Sequence, residues 1–340
     1  MSQKRVGFSW DLALIRNFFR LILLLALGCA GAFIYWAQHP IIGQGQQTIE
    51  FSIKPGSSLR STTQQMAMAG VPANPMLVAL LARVIGKSSK LKAGSYELNA
   101  GTTPLRLIGQ LVRGEFAQEA LVIIEGWTFK QMRQAIAAHP GLKHDTAQWS
   151  DQELLAKIAP DYHAAEGLFS PDTYLFAKGS SDLQVYRQAH ALLLKRLNDG
   201  WAKRDPTLPY KSPYEALIMA SIVEKETGQK SERDMIAGVF VNRLKLGMLL
   251  QTDPTVIYGM GDRYQGQIGK HDLLTDTPYN TYTRAGLPPT PIALPGVAAL
   301  TAALNPAPTD ALYFVSRNDG TSEFSGNLDD HNRAVNKYQR

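Results

Sequence analysis

Apolar and polar positions along the chain first separate an N-terminal apolar run from a longer mixed region. Leu21 to Ala37 contains no charged side chain, and Phe18 and Phe19 extend the run if Arg20 reaches the lipid headgroups. A helix of about twenty residues, rising about 1.5 Å per residue, spans the roughly 30 Å hydrocarbon core of a bilayer. The pattern therefore predicts a transmembrane helix over residues 18–37.

The charges around this run predict its orientation. Four basic residues and one acid, Asp11, lie before or at its start, whereas Gln38 and His39 follow it. The positive-inside rule then places residues 1–17 in the cytoplasm and the rest of the chain across the membrane. Two alternatives are signal cleavage near Ala30-Gly31-Ala32 and lipidation of Cys29, but an uncleaved anchor fits the run best because it continues to Trp36. The basic residues are Lys4, Arg5, Arg16 and Arg20.

A short Gly- and Gln-containing linker over residues 38–47 precedes a first small α+β unit at residues 48–118. Its strand, Lys54-Pro55-Gly56 turn and following helix resemble a LysM-like glycan-binding module; a spacer domain of the same class is the alternative. Alternation and helical periodicity, with Gly and Pro at the ends, predict two strands and three helices. The strands are Thr48–Ile53 and Leu91–Leu98, and the helices are Ser57–Ala69, Pro75–Ile85 and Thr103–Val112.

The pattern changes after residue 118 and predicts a larger mixed α/β domain over residues 119–340. A short apolar strand at Leu121–Ile124 leads into a helix at Thr128–Ala138. A loop-rich stretch with Phe169, Tyr174 and Phe176 then precedes a polar helix at Leu183–Leu197. The predicted fold class is thus α+β: a transmembrane helix, a small LysM-like module and a larger mixed α/β domain.

Charge and cysteine content exclude several classes of protein. The chain has 340 residues, 35 Lys and Arg against 29 Asp and Glu, and a single cysteine, which rules out a disulfide scaffold. Half of the net charge of +6 lies in the first 20 residues, and the remaining +3 is too diffuse over 320 residues to predict a nucleic-acid site. The local motifs of zinc sites, dinucleotide sites, phosphate loops and serine nucleophile elbows are missing, so no metal or cofactor is expected.

One helix carries the most informative carboxylates. Ser212 and Glu215 form a capping-box pattern with Pro213 at the first helical position, and the helix runs to Gly228. It is apolar on nearly every face and ends with Glu224 and Glu226. These two lie about 200° apart around the helix and cannot share one pocket, so at most one does chemistry. Periodicity slightly favours Glu226, which shares a face with apolar residues that would raise its pKa; they are Met219 and Ile222.

Polar and aromatic residues after this helix form candidate sugar contacts. A helix capped by Ser231 runs to Gly247, and Asp253 could cap another short helix. The segment Tyr279–Tyr282 offers rings for stacking together with amide and hydroxyl groups, and the stiff segment Gly286–Ile292 could form a cleft wall. The alternative is a pair of surface loops. The candidate substrate-binding residues are Gln251, Thr252, Asp253, Asn280 and Tyr282.

Several of these segments, in this order, resemble the endolytic murein transglycosylase family, also called MltG or YceG-like. The resemblance extends over essentially the whole chain, from the apolar run to His331-Asn332. It departs from the family at Thr290-Pro291, where Gly and a small residue are expected. The segments that carry it are Ala220–Thr227, Ser231–Asp234, Val241–Leu244, Leu250–Gly259, Tyr279–Tyr282 and Gly286–Pro289.

The resemblance implies a single-pass protein of the bacterial inner membrane, with a periplasmic catalytic domain that cuts peptidoglycan glycan strands internally and ends their growth. It places the catalytic acid at Glu226. Such a lyase needs one carboxylate, because the substrate supplies its own nucleophile and ends as 1,6-anhydro-MurNAc. The implied partners are glycan strands and the inner membrane, with peptidoglycan synthases as further candidates and no nucleic acid. Two alternatives stay open: a hydrolase with Asp253 as second carboxylate, and a non-catalytic glycan-binding scaffold.

Overall fold

The computed structural model describes residues 12–45, 47–226 and 229–339. The chain divides into two compact units, of which the first ends at Gln118 and the second begins at Glu119. The predicted N-terminal charges Lys4, Arg5 and Asp11, and the predicted helix stop at Gly228, lie outside the described residues.

The first helix, α1 (Leu12–Gln38), contains the apolar run. Its segment Ile15–Gln38 has a mean hydropathy of 2.1 in its most apolar window and is long and apolar enough to cross a membrane by length and composition. A signal sequence would meet the same two criteria. The predicted N-terminal apolar helix is therefore confirmed, and its orientation stays a prediction.

After α1 the first unit has the order strand, two helices, strand, helix. The strands pair antiparallel, with Ile49 opposite Leu98 and Ile53 opposite Gly94. Side-chain oxygens of Ser58, Asn74 and Thr103 cap the three helices. The predicted elements are present, and their ends differ from the predicted ones by at most three residues. They are β1 (Ile49–Ile53), α2 (Leu59–Met68), α3 (Pro75–Val84), β2 (Gly94–Leu98) and α4 (Pro104–Arg113).

The end of α1 belongs to the core of this first unit. Ala37 is buried, and Phe33 and Trp36 pack against the same apolar cluster as the strands and helices. The chain continues into the unit, because Ile42 is fully buried and the backbone N–H of Ile41 donates to the carbonyl of Thr102 at 2.9 Å. Ile41 and Ile42, which fall within the predicted linker, are therefore packed into this unit and help to complete its small core.

The second unit consists mainly of helices with short strand pairs. Its strands pair β3 with β5, β4 with β6 in parallel, and β7 with β8 antiparallel. Its helices are α5 (Phe129–Ala138), α6 (Asp151–Ile158), α7 (Asp182–Ala202), α8 (Pro213–Glu226), α9 (Arg233–Lys245), α10 (Asp253–Met260), α11 (Lys270–Leu274), α12 (Val297–Leu304) and α13 (Leu328–Tyr338). Its strands are β3 (Gln118–Val122), β4 (Leu142–Lys143), β5 (Thr173–Ala177), β6 (Ser180–Ser181), β7 (Tyr313–Ser316) and β8 (Ser322–Ser325).

Helix α8 is the central element of this unit, as its apolar sequence predicts. It packs against α7, α9, α10 and α12, and every residue from Ala216 to Val223 is buried. The buried Ser221 has hydrogen-bond partners, because its hydroxyl donates to the carbonyl of Ile218 at 2.7 Å and accepts from the N–H of Ile292 at 2.9 Å. This helix places its last residue, Glu226, at the edge of the core.

Several elements depart from the sequence prediction. The loop-rich stretch contains α6, whose Ser150 and Glu153 form a capping box, and the strand β5. The predicted cap at Ser231 is wrong, because Ser231 lies inside a 3-10 turn, Lys230–Glu232, that precedes α9. The carboxylate of Glu232 instead accepts from the N–H of Ser322 at 2.8 Å, which joins this turn to β8.

Candidate active site

A cavity of about 860 Å³ opens beside the end of α8. Its walls come from α8, α9, the loop before α10, the β7–β8 hairpin and α13. Of the residues proposed from the sequence, Glu226, Gln251, Asp253 and Tyr282 line this cavity. Thr252 and Asn280 do not line it, and both are buried.

The Glu226 carboxylate is hydrogen-bonded to a neighbouring threonine at this cavity. The hydroxyl of Thr252 donates to its Oε2 at 2.6 Å. Burial away from water raises the pKa of Glu226, and the negative charge of Asp253 raises it further, whereas the Thr252 hydrogen bond and the positive charge of Arg243 oppose the increase. Because desolvation is the largest of these effects, the carboxyl is held toward its protonated form, as a general acid requires.

A chain of threonine hydroxyls holds Thr252 in place. The N–H of Thr252 donates to the Thr281 hydroxyl at 3.1 Å, and the Thr255 hydroxyl donates to the carbonyl of Thr252 at 2.7 Å. Thr255 and Thr281 hydroxyls lie 2.8 Å apart. Since Thr255 has already given its only proton, Thr281 must be the donor to Thr255. Thr281 thus donates to Thr255, Thr255 donates to the carbonyl of Thr252, and the Thr252 hydroxyl donates to Glu226.

Gln251 has a left-handed backbone, with φ of 51°. Such a conformation costs a non-glycine residue about 1 to 3 kcal/mol and is found mostly where surrounding contacts impose it. Here the N–H of Gln251 donates to the carbonyl of Thr281 at 3.1 Å. With this backbone, the Gln251 side chain lines the cavity and the side chain of the next residue, Thr252, contacts Glu226.

Arg243 joins three walls of the cavity. Its Nε donates to the carbonyl of Leu312 at 2.7 Å, and its Nη1 donates to the carbonyls of Leu249 and Leu250 at 3.2 and 2.9 Å. Its guanidinium carbon also lies 5.1 Å from the centre of the Tyr313 ring. One buried side chain of α9 thus fixes both the loop that carries Gln251 and the start of the β7–β8 hairpin.

Asp253 and Tyr282 form a pair at the cavity wall. The Tyr282 hydroxyl donates to Asp253 Oδ1 at 2.6 Å. Burial raises the pKa of Tyr282, and the hydrogen bond to Asp253 raises it further. Asp253 does not act as the predicted helix cap, because α10 begins at Asp253 itself and its N-cap residue, Thr252, uses its side chain on Glu226.

Asn280 stabilises the loop that carries Tyr282. Its side chain is fully buried, and its amide nitrogen donates to the carbonyls of Leu273 and Thr275 at 3.0 and 2.7 Å. Its amide oxygen accepts from the N–H of Tyr282 at 2.8 Å. These backbone contacts occupy the groups that the sequence suggested for sugar binding.

Glu224 has different partners from Glu226, as the helical spacing predicts. Its Oε2 accepts from the N–H of Gly296 at 2.9 Å, and its Oε1 lies 3.7 Å from a guanidinium nitrogen of Arg233. Burial raises its pKa, while Gly296 and Arg233 oppose that effect. Glu224 therefore joins the end of α8 to the start of α12 and to α9, and it does not line the cavity.

Sequence reasoning missed the wall formed by the hairpin and α13. The alternating residues on either side of Arg317–Gly320 were an available hairpin signal, and Asn327, which caps α13, was an available helix signal. His331 stacks on Tyr313 with 5.1 Å between ring centres. The cavity residues missed are Gln229, Glu232, Ile236, Arg243, Leu250, Tyr313, Phe314, Val315, Ser316, Gly320, Thr321, Ser322, Leu328, His331, Asn332, Val335 and Gln339.

Within residues 12–45, 47–226 and 229–339, no group of three or more His, Cys, Asp or Glu side chains is placed to hold an ion.

Three known proteins are similar to this chain over most of its length. The endolytic murein transglycosylase of Bacillus subtilis (strain 168) is 31% identical over 336 residues, which cover 91% of this chain and 90% of that protein. The protein of the same name from Streptococcus pneumoniae serotype 2 is 26% identical, and the match spans 93% of this chain but 63% of that longer protein. The crystal structure of a YceG-like protein from Listeria monocytogenes superposes with a TM-score of 0.55 at 31% identity, covering 85% of this chain and 99% of that one.

The cavity residues from Glu226 to Val335 fall within the part of the chain that a family profile recognises. The profile of the YceG-like family matches residues 51–337. The match includes α8, the hydrogen-bonded threonines Thr252, Thr255 and Thr281, and α13 up to Lys337. With this match and relatives aligned over nine-tenths of its length, the chain belongs to the YceG-like family.

Proposed function

We propose that this protein is an endolytic murein transglycosylase, a lyase that cleaves MurNAc–GlcNAc bonds inside peptidoglycan strands, with Glu226 as its catalytic acid and base. The relatives named endolytic murein transglycosylase support the activity. The observation that supports the residue is that the Glu226 carboxylate, desolvated at the end of a buried helix, faces a cavity large enough for several sugar rings.

In the first step, protonated Glu226 donates its proton to the glycosidic oxygen, and the GlcNAc side leaves as an alcohol. Because Oε2 accepts from Thr252, the acid proton belongs on Oε1. Positive charge develops at C1 of MurNAc, where the oxygen of its 2-acetamido group stabilises it. A raised pKa favours this step, since the carboxyl must be protonated before it can donate.

In the second step, the Glu226 carboxylate removes the proton from the C6 hydroxyl of the same MurNAc. The C6 oxygen then bonds to C1, which closes the 1,6-anhydro ring and returns the proton to Glu226. No water is consumed, so a second carboxylate to activate water is unnecessary.

Substrate contacts are proposed for Gln251, Asp253 and Tyr282, which line the cavity. Thr252 and Asn280, which the sequence suggested as sugar contacts, are proposed instead as positioning residues. Thr252 orients the carboxyl, and Asn280 holds the loop that carries Tyr282.

The first unit is proposed to hold glycan. Its order of strand, two helices and strand is the one expected of a LysM-like module, with β1 and β2 paired antiparallel. We also propose that α1 anchors the protein in the inner membrane as a single span, with the N-terminus in the cytoplasm and the second unit in the periplasm. Recruitment of peptidoglycan synthases stays a prediction.

The test combines two variants with mass analysis of the products from purified glycan strands. Anhydro ends are lighter than reducing ends by one water molecule, so wild type should yield only the lighter product. Glu226→Gln should lower the rate by about 100- to 10,000-fold, the usual contribution of a general acid, without lowering Tm, because Gln still accepts from Thr252.

Glu224→Gln is the matched control. It should lower Tm, because Arg233 loses its charge partner, but still give the anhydro product. Reducing ends would favour the hydrolase in which Asp253 is the second carboxylate. Uncut glycan with wild-type protein would favour the non-catalytic scaffold, and near-normal cleavage by Glu226→Gln would refute the assignment of Glu226.

A further inference from the structure

We propose that the exposed face of α3 in the first unit binds the anionic lipid surface of the membrane in which α1 is embedded. This inference rests on the proposed function in one respect, namely that α1 is a membrane anchor. It adds an interaction surface to a unit that is also proposed to hold glycan. Three features of the unit support this surface: its attachment to α1, its exposed apolar side chains, and its charge.

The first unit cannot move away from the end of α1, because that end belongs to its core. Trp36 packs against the unit's apolar cluster, and Ala37 is 5% exposed. Immediately after α1, backbone hydrogen bonds join Ile41 to Thr102 and Gly101 to Ile42, at 2.9 and 3.0 Å. These contacts leave no flexible segment between helix and unit.

The length of α1 places this attachment close to the lipid headgroups. The predicted span begins at Phe18, and the part of it that precedes the contacts with the unit, from Phe18 to Ala32, is about 23 Å long at about 1.5 Å per residue. This does not exceed the roughly 30 Å hydrocarbon thickness of a bilayer, so no length of α1 remains to hold the unit away from the membrane. Once α1 spans the membrane, the first unit lies against the membrane surface.

Helix α3 exposes an aliphatic stripe in this unit. Met76, Leu80 and Val84 are 83%, 45% and 68% exposed, and their spacing of four residues puts them on one face. Helix α4 contacts both α1 and α3, and its Leu105 is also exposed. Contiguous exposed apolar side chains on a folded unit commonly mark a binding surface. Aliphatic side chains on a unit attached directly to a membrane helix fit the boundary between headgroups and acyl chains.

The charge of the unit complements anionic lipid. Residues 39–118 contain eight basic residues and three acidic ones, a net charge of +5, whereas residues 119–340 contain 23 and 25, a net charge of −2. Outside the N-terminal segment, the excess positive charge is therefore concentrated in the first unit and is not spread evenly along the chain. Arg83 and Lys87 lie at the end of the stripe, where they can reach phosphate groups as the aliphatic side chains enter the lipid.

The same charge argues against a second copy of the chain as the occupant. Two copies meeting through α3 would bring two surfaces of net positive charge together, each with Arg83 and Lys87 at its edge. An anionic lipid surface removes that repulsion and accepts the aliphatic stripe as well.

Quenching by spin-labelled lipid tests this proposal on the full chain in nanodiscs. The discs contain phosphatidylglycerol, phosphatidylethanolamine and a lipid with a doxyl group near the top of its acyl chain. In a Cys29→Ala background, a fluorescent label is placed at one site per sample by Leu24→Cys, Val84→Cys or Leu246→Cys. All three sites are exposed, on α1, on α3 and in the second unit respectively. We expect strong quenching at residues 24 and 84, and little at residue 246.

The outcomes separate this proposal from the proposed anchor. Quenching at residue 24 without quenching at residue 84 would leave α1 as an anchor and overturn the α3 surface. No quenching at residue 24 would overturn the anchor and this proposal with it, whereas the activity of Glu226 is measured separately on glycan strands.

The role of charge is tested by Arg83→Glu combined with Lys87→Glu. This pair should reduce quenching at residue 84 at least twofold and leave residue 24 unchanged. The matched control, Lys203→Glu with Lys245→Glu, changes the same total charge at exposed positions of the second unit and should have no effect. Discs of phosphatidylcholine alone should likewise reduce quenching at residue 84. If quenching at residue 84 were unchanged both in the Arg83→Glu/Lys87→Glu variant and in discs of phosphatidylcholine alone, the assignment to an anionic surface would be overturned.

Discussion

The Thr252 hydroxyl determines which oxygen of Glu226 carries the proton. The backbone N–H of Thr252 donates to Thr281, and its carbonyl accepts from Thr255. These two bonds fix the residue so that its hydroxyl donates to Oε2 of Glu226. A hydrogen bond donated to a carboxylate favours the charged form and lowers its pKa. Thr252 thus moderates the increase in the pKa of Glu226 that burial causes, and its hydrogen bond to Oε2 assigns Oε1 to the substrate in the proposed mechanism.

Thr252→Val tests this role, because Val has a similar shape but no hydroxyl. Loss of the donor raises the pKa of Glu226 further, so the carboxyl stays protonated to higher pH. The high-pH limb of the kcat/KM profile should move upward, and kcat should fall about tenfold or more because the carboxyl is less well oriented. Thr252→Ser is the control and should restore both. A limb that stays in place in the valine variant would contradict the proposed role.

A second buried carboxyl, Glu166, affects stability rather than chemistry. It accepts from the N–H of Phe129 at 2.9 Å and from the Tyr258 hydroxyl at 3.1 Å. Burial raises its pKa from 4.5 to about 7. The folded state therefore keeps a proton that the unfolded state has lost, and the associated stability is fully present below about pH 4.5 and is lost as the pH rises to about 7.

Glu166→Gln, which does not titrate, should flatten this dependence. Wild type should lose about 3 kcal/mol of unfolding free energy between pH 4.5 and 7 through this group, since one pKa unit corresponds to about 1.4 kcal/mol. Urea unfolding at pH 5 and pH 7 measures the difference. Equal losses in wild type and variant would show that Glu166 is not responsible.

Residue spacing predicted some of this site and could not predict the rest. The separation of Glu224 and Glu226 around one helix follows from 3.6 residues per turn, and the structure gives them different partners. The buried positions of Thr252 and Asn280 depend on contacts with residues about 5 to 30 positions away, and local pattern carries no information about these. Polar residues therefore looked alike in the sequence whether they face the cavity or support it.

At the scale of elements, Arg243 connects α9 to two cavity walls. Lysine at this position would keep the charge but could not donate to Leu249, Leu250 and Leu312 together. We expect Arg243→Lys to reduce kcat by about 100-fold, because the Gln251 loop loses its support. Unfolding free energy should fall by about 3 kcal/mol, since charged hydrogen bonds contribute about 1.5 to 3 kcal/mol each.

The pH profile separates this positioning role from a general loss of stability. Arg243→Met removes the positive charge that lowers the pKa of Glu226, so its high-pH limb should move upward. Arg243→Lys keeps the charge, so its limb should stay near that of wild type. A limb that moves equally in both variants would contradict the electrostatic part of this account.

Elements with strong end signals were predicted well, and elements without periodic apolar faces were not. Helix α8 has a serine cap and an apolar body, and α4 has Thr103 before it and Gly114 after it. The 3-10 turn before α9 could not be foreseen, because its geometry depends on the contact between Glu232 and Ser322 of β8. The β7–β8 hairpin, in contrast, has a turn signal in the sequence, Arg317–Gly320 between two alternating segments.

At the scale of the whole molecule, α1 and the first unit form one folded body. Phe33, Trp36 and Ala37 supply part of its core, so a chain shortened to begin at His39 would leave that core incomplete. A chain that begins at Phe33 keeps these residues. The chain beginning at His39 should be less stable by about 2 to 4 kcal/mol, roughly the value of burying one or two large apolar side chains.

Urea unfolding of the two shortened chains, followed by the hydrogen exchange of β1 and β2, measures this difference. The exchange of α8 should be the same in both, because α8 belongs to the second unit. Equal protection of β1 in the two chains would contradict the role given to α1.

The direct attachment of α1 to the first unit makes bilayer thickness a structural variable for this protein. A helix longer than the hydrocarbon layer tilts to bury its apolar length, and a thicker layer lets it stand more upright. A flexible tether would absorb such a tilt, but the backbone bonds at Ile41 and Ile42 transmit it. The orientation of the first unit should therefore follow the tilt of α1, so that bilayer thickness changes the angle at which α3 meets the lipid headgroups.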